Sequence, residues 1–567
     1  MNDQKLEDLL NLALDVTEEE LERSEELRVG YDPVEKTWQL IVRHSGPAEA
    51  LAGPEISVYQ LLGGYAIVTI PESMIEEFSA RPEVEYIEKP KRLFFALNQA
   101  KAASCINSVQ TDRFNLTGNG ILVGVIDSGI DYFHQDFRNE DGSTRILKLW
   151  DQVLDRVFTE EEINQALDTG SRSGAREKVP SVDGSGHGTA VAGIAAGNGR
   201  EDGGRYRGVA FQSRLLIVKL GVPDPDGFPK TTELMKAVDF VVRQAAEYGQ
   251  PVAVNISFGN TYGSHDGTSL LETFLDMAAI YGRTVICVGT GNEASRSGHT
   301  SGIIEQGFRQ DISLSVASYE TGFGVQLWKS YVDEMNISLI APSGRTVGPI
   351  RETQGTQIID FGDTIILLYY GMPSPYSQAQ EIYFDFIPRN QYMESGIWKF
   401  QLEGEQIVLG NFDFWLPSGN ILNPATRFLF PTPDITLTIP STAVSVISVG
   451  AYNDRYQSYA DFSGRGYTRS TRQIKPDLAA PGVEIIAPSA GGGYQPVTGT
   501  SFATPFVTGG SALLMEWGIQ KGNDPYLYGE KVKAYLIRGA RHLPGFETWP
   551  NPLLGYGTLC VRDSLPV

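Results

Sequence analysis

The stretch from Ile121 to Asp127 reads Ile-Leu-Val-Gly-Val-Ile-Asp, an unbroken apolar run closed by a carboxylate. Without polar alternation, it predicts a strand buried on both faces of a parallel sheet. The segment beginning at Ser501 carries Phe502, Phe506, Val507, Leu513, Leu514 and Trp517, apolar positions too dense for a surface helix. They predict a central buried one. Residues 1–96 have a different rhythm. Acidic, helix-like sequence from Leu6 to about Glu26 leads into strand-like runs at Trp38–Val42, Tyr65–Ile70 and Val84–Glu88, with a helix over Glu72–Ala80. This is the pattern of a small α+β unit. Between about 296 and 430 short strand patterns alternate with Gly/Pro turns, as at Ile337–Ile340, Ile358–Phe361, Ile382–Phe386 and Trp398–Leu402. They predict an inserted β-sandwich or jelly roll. Its aromatics (Trp328, Tyr369, Tyr370, Trp398, Trp415) are expected to be mostly core, with a binding face as the alternative.

Three polar residues interrupt this framework at places suited to chemistry. Ser501 lies in Gly499-Thr-Ser-Phe-Ala-Thr-Pro505, at the head of the buried helix. Proline is tolerated in a first turn, and a serine there sits at the helix's positive end. Asp127 closes its strand, and in open α/β sheets ligands gather at the carboxyl ends of strands. His187 lies in Asp183-Gly-Ser-Gly-His-Gly-Thr-Ala-Val-Ala-Gly193, alone among the six histidines in having glycine on both sides. An imidazole so cleared of neighbours is a candidate base. A serine needs such a base to attack a carbonyl at neutral pH.

The order Asp127, His187, Ser501 is the order of aspartate, histidine and serine in subtilisin. The three segments resemble the signatures of the subtilisin-like serine peptidases. Val285–Ala294 is similar to the family segment whose asparagine, here Asn292, helps form the oxyanion hole. Asn255–Gly259 looks like the family's specificity-pocket strand, which makes Ser257, Phe258 and Gly259 substrate-binding candidates. The resemblance implies a three-layer α/β fold with a parallel sheet, interrupted by the insertion. The subtilase domain would occupy 97–295 and 431–567, with the insertion at 296–430. Residues 1–96 resemble a propeptide that assists folding and then occupies the active site, and Lys91–Ala100 would link it across the cleft. The extended aromatic Leu93-Phe-Phe-Ala-Leu97 suits strand addition to a cleft edge. Self-cleavage is expected between Gln99 and Ala100, which hints at glutamine on the acyl side of the bond.

Composition narrows the partners. A net charge of −23 and pI near 4.8 argue against nucleic acid or an anionic membrane as the main partner. No stretch of about 18 apolar residues predicts a membrane span. The acidic start Met1–Leu10 lacks the features of a secretory signal, so synthesis in the cytoplasm is expected. Three cysteines, Cys105, Cys287 and Cys560, give no disulfide framework. No His-Glu-x-x-His or EF-hand pattern is present, so no cofactor or metal is predicted, calcium being left open by the family resemblance. The linker 93–99, the segment Ala103–Asn107, the expected lack of a signal and the β-rich insertion together resemble the clostridial Csp germination proteases. That resemblance implies a spore-associated protease whose protein substrate is a cortex-lytic proenzyme. The other reading is a silenced or propeptide-blocked subtilase acting as a binding or signalling protein through its insertion.

Overall fold

The computed structural model describes residues 4–566 apart from 25, 92–93, 96–102, 111–112, 222–228, 354 and 420, and gives the backbone alone at 94–95. The expected cleavage residues Gln99 and Ala100 lie outside the described residues. By contacts the chain divides into a unit of residues 1–92, 260–270 and 293–436 and a unit of 93–259, 271–292 and 437–567.

The second unit is built on a nine-stranded sheet. Its main path runs 458–459, 447–453, 284–289, 252–256, 122–127, 214–219, 146–151 and 156–159, with 478–481 beside 447–453. All pairs are parallel except the two edge strands 156–159 and 458–459. Leu122–Asp127 is central and buried at every position, as its unbroken apolar run requires. One face, through Val123 and Val125, packs on two buried helices, His187–Ala196 and Thr500–Met515. On the other face Gly124 lies under Val241 of the helix Thr231–Glu247, where a Cβ would come within 2.5 Å of its Cγ1. Helix, sheet and helix make three layers, the subtilisin-like arrangement.

The first unit holds two β structures. Residues 31–32, 37–44, 65–71 and 57–60 pair antiparallel in that order, with 84–88 on the free side of 37–44. The acidic N-terminal stretch forms two helices rather than one, Asp8–Asp15 and Glu18–Arg23. Val16 is extended, and Thr17 with Glu20 forms a reciprocal capping box that starts the second helix afresh. The 72–80 helix is a 3₁₀ turn at Glu72–Met74 followed by Ile75–Ser79. Residues 299–428 supply two all-antiparallel sheets, of six and five strands. They share a core that includes Val325, Ile337, Ile366, Phe384, Phe400 and Phe414. Phe384 of one sheet meets Phe400 of the other edge-on, with ring centroids 5.0 Å apart. Tyr369, Tyr370, Trp398 and Trp415 are buried and Trp328 is half-buried, so these aromatics serve mainly as core.

Two long-range features differ from the expectations. The N-terminal α+β unit does not close on itself: its core around Trp38, Leu40, Val68 and Phe78 continues into Tyr262, Leu367, Tyr369 and Tyr383. The expectation of no disulfide also fails, because Cys105 is bonded to Cys560 across 455 residues. Residues that far apart give no local sign of proximity. Cys287 alone is free; burial pushes its thiol up to about 12, which leaves it a packing group.

Candidate active site

Asp127, His187 and Ser501 come from three elements that meet at the carboxyl end of the central strand. Asp127 is the last residue of that strand, and its Oδ1 lies 2.6 Å from His187 Nδ1. Both side chains are buried. The same Oδ1 accepts the Ser128 N–H at 2.7 Å, while Oδ2 is buried with no hydrogen-bond partner among the described residues. A carboxylate so placed holds the imidazole with its proton on Nδ1 and leaves Nε2 as the base.

The two glycines beside His187 do different work. Gly186 adopts φ +76°, a left-handed conformation that lets the chain enter the helix. A Cβ on Gly188 would lie 2.2 Å from the Gly129 carbonyl oxygen and 3.1 Å from Asp127 Cβ. Glycine there brings the helix backbone against the loop following Asp127, which sets the short Asp–His contact. The glycine at 186 cannot cap the helix with a side chain, and Asp183 takes that role from outside. Its Oδ2 accepts from the Thr189 N–H and hydroxyl at 2.8 and 2.6 Å; its Oδ1 accepts from Gly186 N–H and Ser128 Oγ at 2.9 and 2.7 Å. Asp183 is a functional residue that the motif around His187 does not by itself reveal. The signal was available: a carboxylate shortly before a helix whose N-cap is glycine.

Ser501 sits in the first turn of its helix, buried, with Oγ 3.5 Å from the Ser257 carbonyl oxygen. The helix is pinned to the sheet by a polar chain. Thr508 Oγ1 donates to Asn255 Oδ1, Asn255 Nδ2 to Ser257 Oγ, and Ser257 Oγ to the Ser501 carbonyl, at 3.0, 2.9 and 3.0 Å. Ser257 therefore places its hydroxyl on the serine helix, a contact its sequence position did not disclose. The His187 ring packs at a tilt near Phe502, next to Ser501 in the chain, and near Phe258, with centroids at 5.0 and 6.4 Å. Asn292 turns its Oδ1 toward the same helix start, accepting the Thr500 N–H and hydroxyl at 3.1 and 3.2 Å. With Oδ1 so used, the Nδ2 amide is the group left to donate. Phe258 and Gly259 form a two-residue strand paired antiparallel with Phe95 and Phe94. The linker thus adds a strand to the edge that the sequence marked as substrate-binding.

The arrangement brings a carboxylate, an imidazole, a serine and an amide donor to one end of a parallel sheet, beside an edge already carrying extended peptide. Such a set can carry out acyl transfer from a peptide. Among the described residues no group of three or more His, Cys, Asp or Glu side chains is placed to hold a metal ion, and no helix is long and apolar enough to cross a membrane.

Comparison with known proteins agrees in fold and region. A model described as the subtilase family matches residues 118–380 and 418–557, and one described as the Csp protease B prodomain matches 4–91. The structure of the Clostridium perfringens CspB protease is similar at 38% identity and a TM-score of 0.77, covering 81% of this chain and 95% of that one. The minor extracellular protease Vpr of Bacillus subtilis is 24% identical over 481 residues, 79% of this chain and 52% of Vpr. Subtilisin E of the same organism is 28% identical over 237 residues, 42% of this chain and 51% of the enzyme. The chain spans about half the length of these two relatives and about a quarter of the lactococcal PII-type proteinase.

Proposed function

The chain belongs to the subtilase family and carries a Csp protease B prodomain ahead of its α/β unit, and from that premise we propose that it is a serine endopeptidase made as a self-processing zymogen. Ser501 Oγ attacks the substrate carbonyl while His187 Nε2 takes its proton. Asp127 fixes the imidazole tautomer and stabilises the imidazolium. The oxyanion is held by Asn292 Nδ2 and the Ser501 backbone N–H. Collapse expels the amine, which receives the proton from His187, and leaves an acyl-serine that water then hydrolyses by the same base. The observation that carries this reading is the 2.6 Å Asp127–His187 contact, with the imidazole packed at a tilt against the residue beside Ser501.

Maturation is intramolecular: the linker is tethered along Phe258–Gly259 and is cut between Gln99 and Ala100. A fluorophosphonate probe tests the chemistry. Wild type is expected to be labelled and to yield a prodomain and a mature fragment, while Ser501→Ala remains one unlabelled chain. Normal processing of Ser501→Ala in a purified, protease-free system would overturn the reading.

The finer reading is that the enzyme acts in the spore, activating a cortex-lytic proenzyme by limited proteolysis during germination. It is supported by the prodomain match and by the 38% identity to the Clostridium perfringens CspB protease. Incubation of mature enzyme with such a proenzyme should give one new fragment and cortex-hydrolysing activity. An intact proenzyme, with a control peptide cut in the same tube, would refute the substrate while leaving the protease.

A further inference from the structure

Next to the loop that carries His187 lies a cavity of about 200 Å³, and the catalytic reading gives it no task. Asp183 and Gly184 form part of its wall, four and three residues before the imidazole; Ile130 and Tyr132, just past Asp127, form another part. The wall is thus built from the two chain segments that carry the base and its carboxylate, which places the cavity beside the catalytic pair. A third part is the short helix Arg172–Lys178, whose Arg172 and Arg176 are four residues apart and so share a face, and Ser181, Val182, Ala490 and Gly491 complete the wall.

The charges in the wall are not equally available. Asp131 is consumed. Arg172 Nη1 lies 2.7 Å from each of its oxygens, and the N–H groups of Phe133 and Gly491 donate to it at 3.2 and 2.8 Å. Asp183 is buried, and both its oxygens are turned into the His187 loop, where hydroxyls and helix-start N–H groups answer its charge. The Tyr132 hydroxyl donates to the Val179 carbonyl at 2.8 Å. Arg176 is exposed and makes no ion pair or hydrogen bond among the described residues. What the cavity offers an incoming side chain is partly apolar wall, the Ser181 hydroxyl, buried with no hydrogen-bond partner among the described residues, and an uncommitted guanidinium. That chemistry favours a carboxylate on a short aliphatic stem and disfavours an ammonium.

We infer that this cavity is a substrate subsite for an aspartate or glutamate flanking the scissile bond, and that Arg176 is the residue that selects it. The inference rests on the proteolytic reading and adds a specificity to it. The chain's own linker, Leu93–Ser104, contains no acidic residue. Cleavage in cis does not need the subsite, because tethering supplies the effective concentration that a free substrate lacks.

The test uses processed wild-type enzyme and peptides with the sequence of residues 93–104, changed to Glu or to Gln at one position at a time on either side of the cut. At one position kcat/KM for the Glu peptide should exceed that for the Gln peptide roughly two- to fivefold, the range of a partly exposed ion pair, and the preference should fade with added salt. Arg176→Glu should reverse the Glu-to-Gln ratio at that position and prefer a Lys peptide, with Arg176→Ala in between. A ratio near one at every position, or a preference untouched by Arg176→Glu, overturns the subsite while cleavage itself stands. Failure of wild type to cut any peptide would remove the proteolytic reading together with the subsite.

Discussion

Asn292 separates transition-state stabilisation from folding, because the two ends of its amide do different things. Oδ1 holds the start of the serine helix by accepting the Thr500 N–H and hydroxyl, and Nδ2 is the proposed oxyanion donor. Asn292→Ala removes both. Loss of one oxyanion donor costs roughly 2.7–4 kcal/mol, about 10²–10³ in kcat, a range set by a subtilisin asparagine. Leaving the buried Thr500 N–H without its partner costs a further 1–3 kcal/mol or so, in stability rather than rate. Asn292→Asp keeps the Oδ1 acceptor and so keeps the helix start, but it puts a carboxylate oxygen where the donor was. The aspartate variant should therefore stay closer to wild type in thermal midpoint and lose at least as much rate as the alanine variant. Self-processing is a convenient single-turnover assay, since the linker is already paired with Phe258–Gly259 and no external substrate is needed. Purified zymogens would be followed by gel, with differential scanning calorimetry alongside. The half-time should lengthen by about two to three orders of magnitude in Asn292→Asp. Processing within about threefold of wild type, under roughly 0.7 kcal/mol, would refute the oxyanion role.

The Cys105–Cys560 bond closes a span of 455 residues, for which the chain-entropy model sets an upper contribution of about 6 kcal/mol. Reductant should lower the thermal midpoint of wild type and leave Cys105→Ser unmoved; equal midpoints with and without reductant in wild type would refute the bond's role. Asp8 is half-buried with its carboxylate on the Met372 N–H, and loss of solvent there, reinforced by Glu7, pushes its carboxyl up to about 8; buried Glu381 is driven up in the same way. The folded unit therefore keeps protons that the unfolded chain releases near pH 4, so this contribution is full below about pH 4 and falls as pH rises toward 8. The midpoint of uncut Ser501→Ala should drop between pH 5 and 8, and Asp8→Asn in that background should drop less; a parallel pair of curves would refute the assignment. Leu367 is fully buried in the core shared by the N-terminal unit and the inserted sheets. Leu367→Ala should destabilise by about 2–5 kcal/mol and increase hydrogen exchange in the strand 37–44 as well as in its own. Protection unchanged at 37–44 would mean that the two do not share a core.

The residues of the site were legible because their chemistry depends on local sequence. A strand buried on both faces must be continuously apolar, so the break at Asp127 marks its end. The glycines at 186 and 188 could be noticed from the chain, and so could a serine at the head of a helix apolar all round. Phe94 and Phe95 read as an extended segment for the same reason. What each glycine is for came only from the packing: one supplies a positive φ and the other the approach of the helix to Gly129. The capping of the His187 helix by Asp183 likewise needed the loop geometry. Tertiary structure alone joined Cys105 to Cys560 and carried the N-terminal core into Leu367 and Tyr383. Periodicity tells which face of an element is apolar but not which distant element will cover it. That choice is made by burial and shape across hundreds of residues of chain, where no local propensity operates.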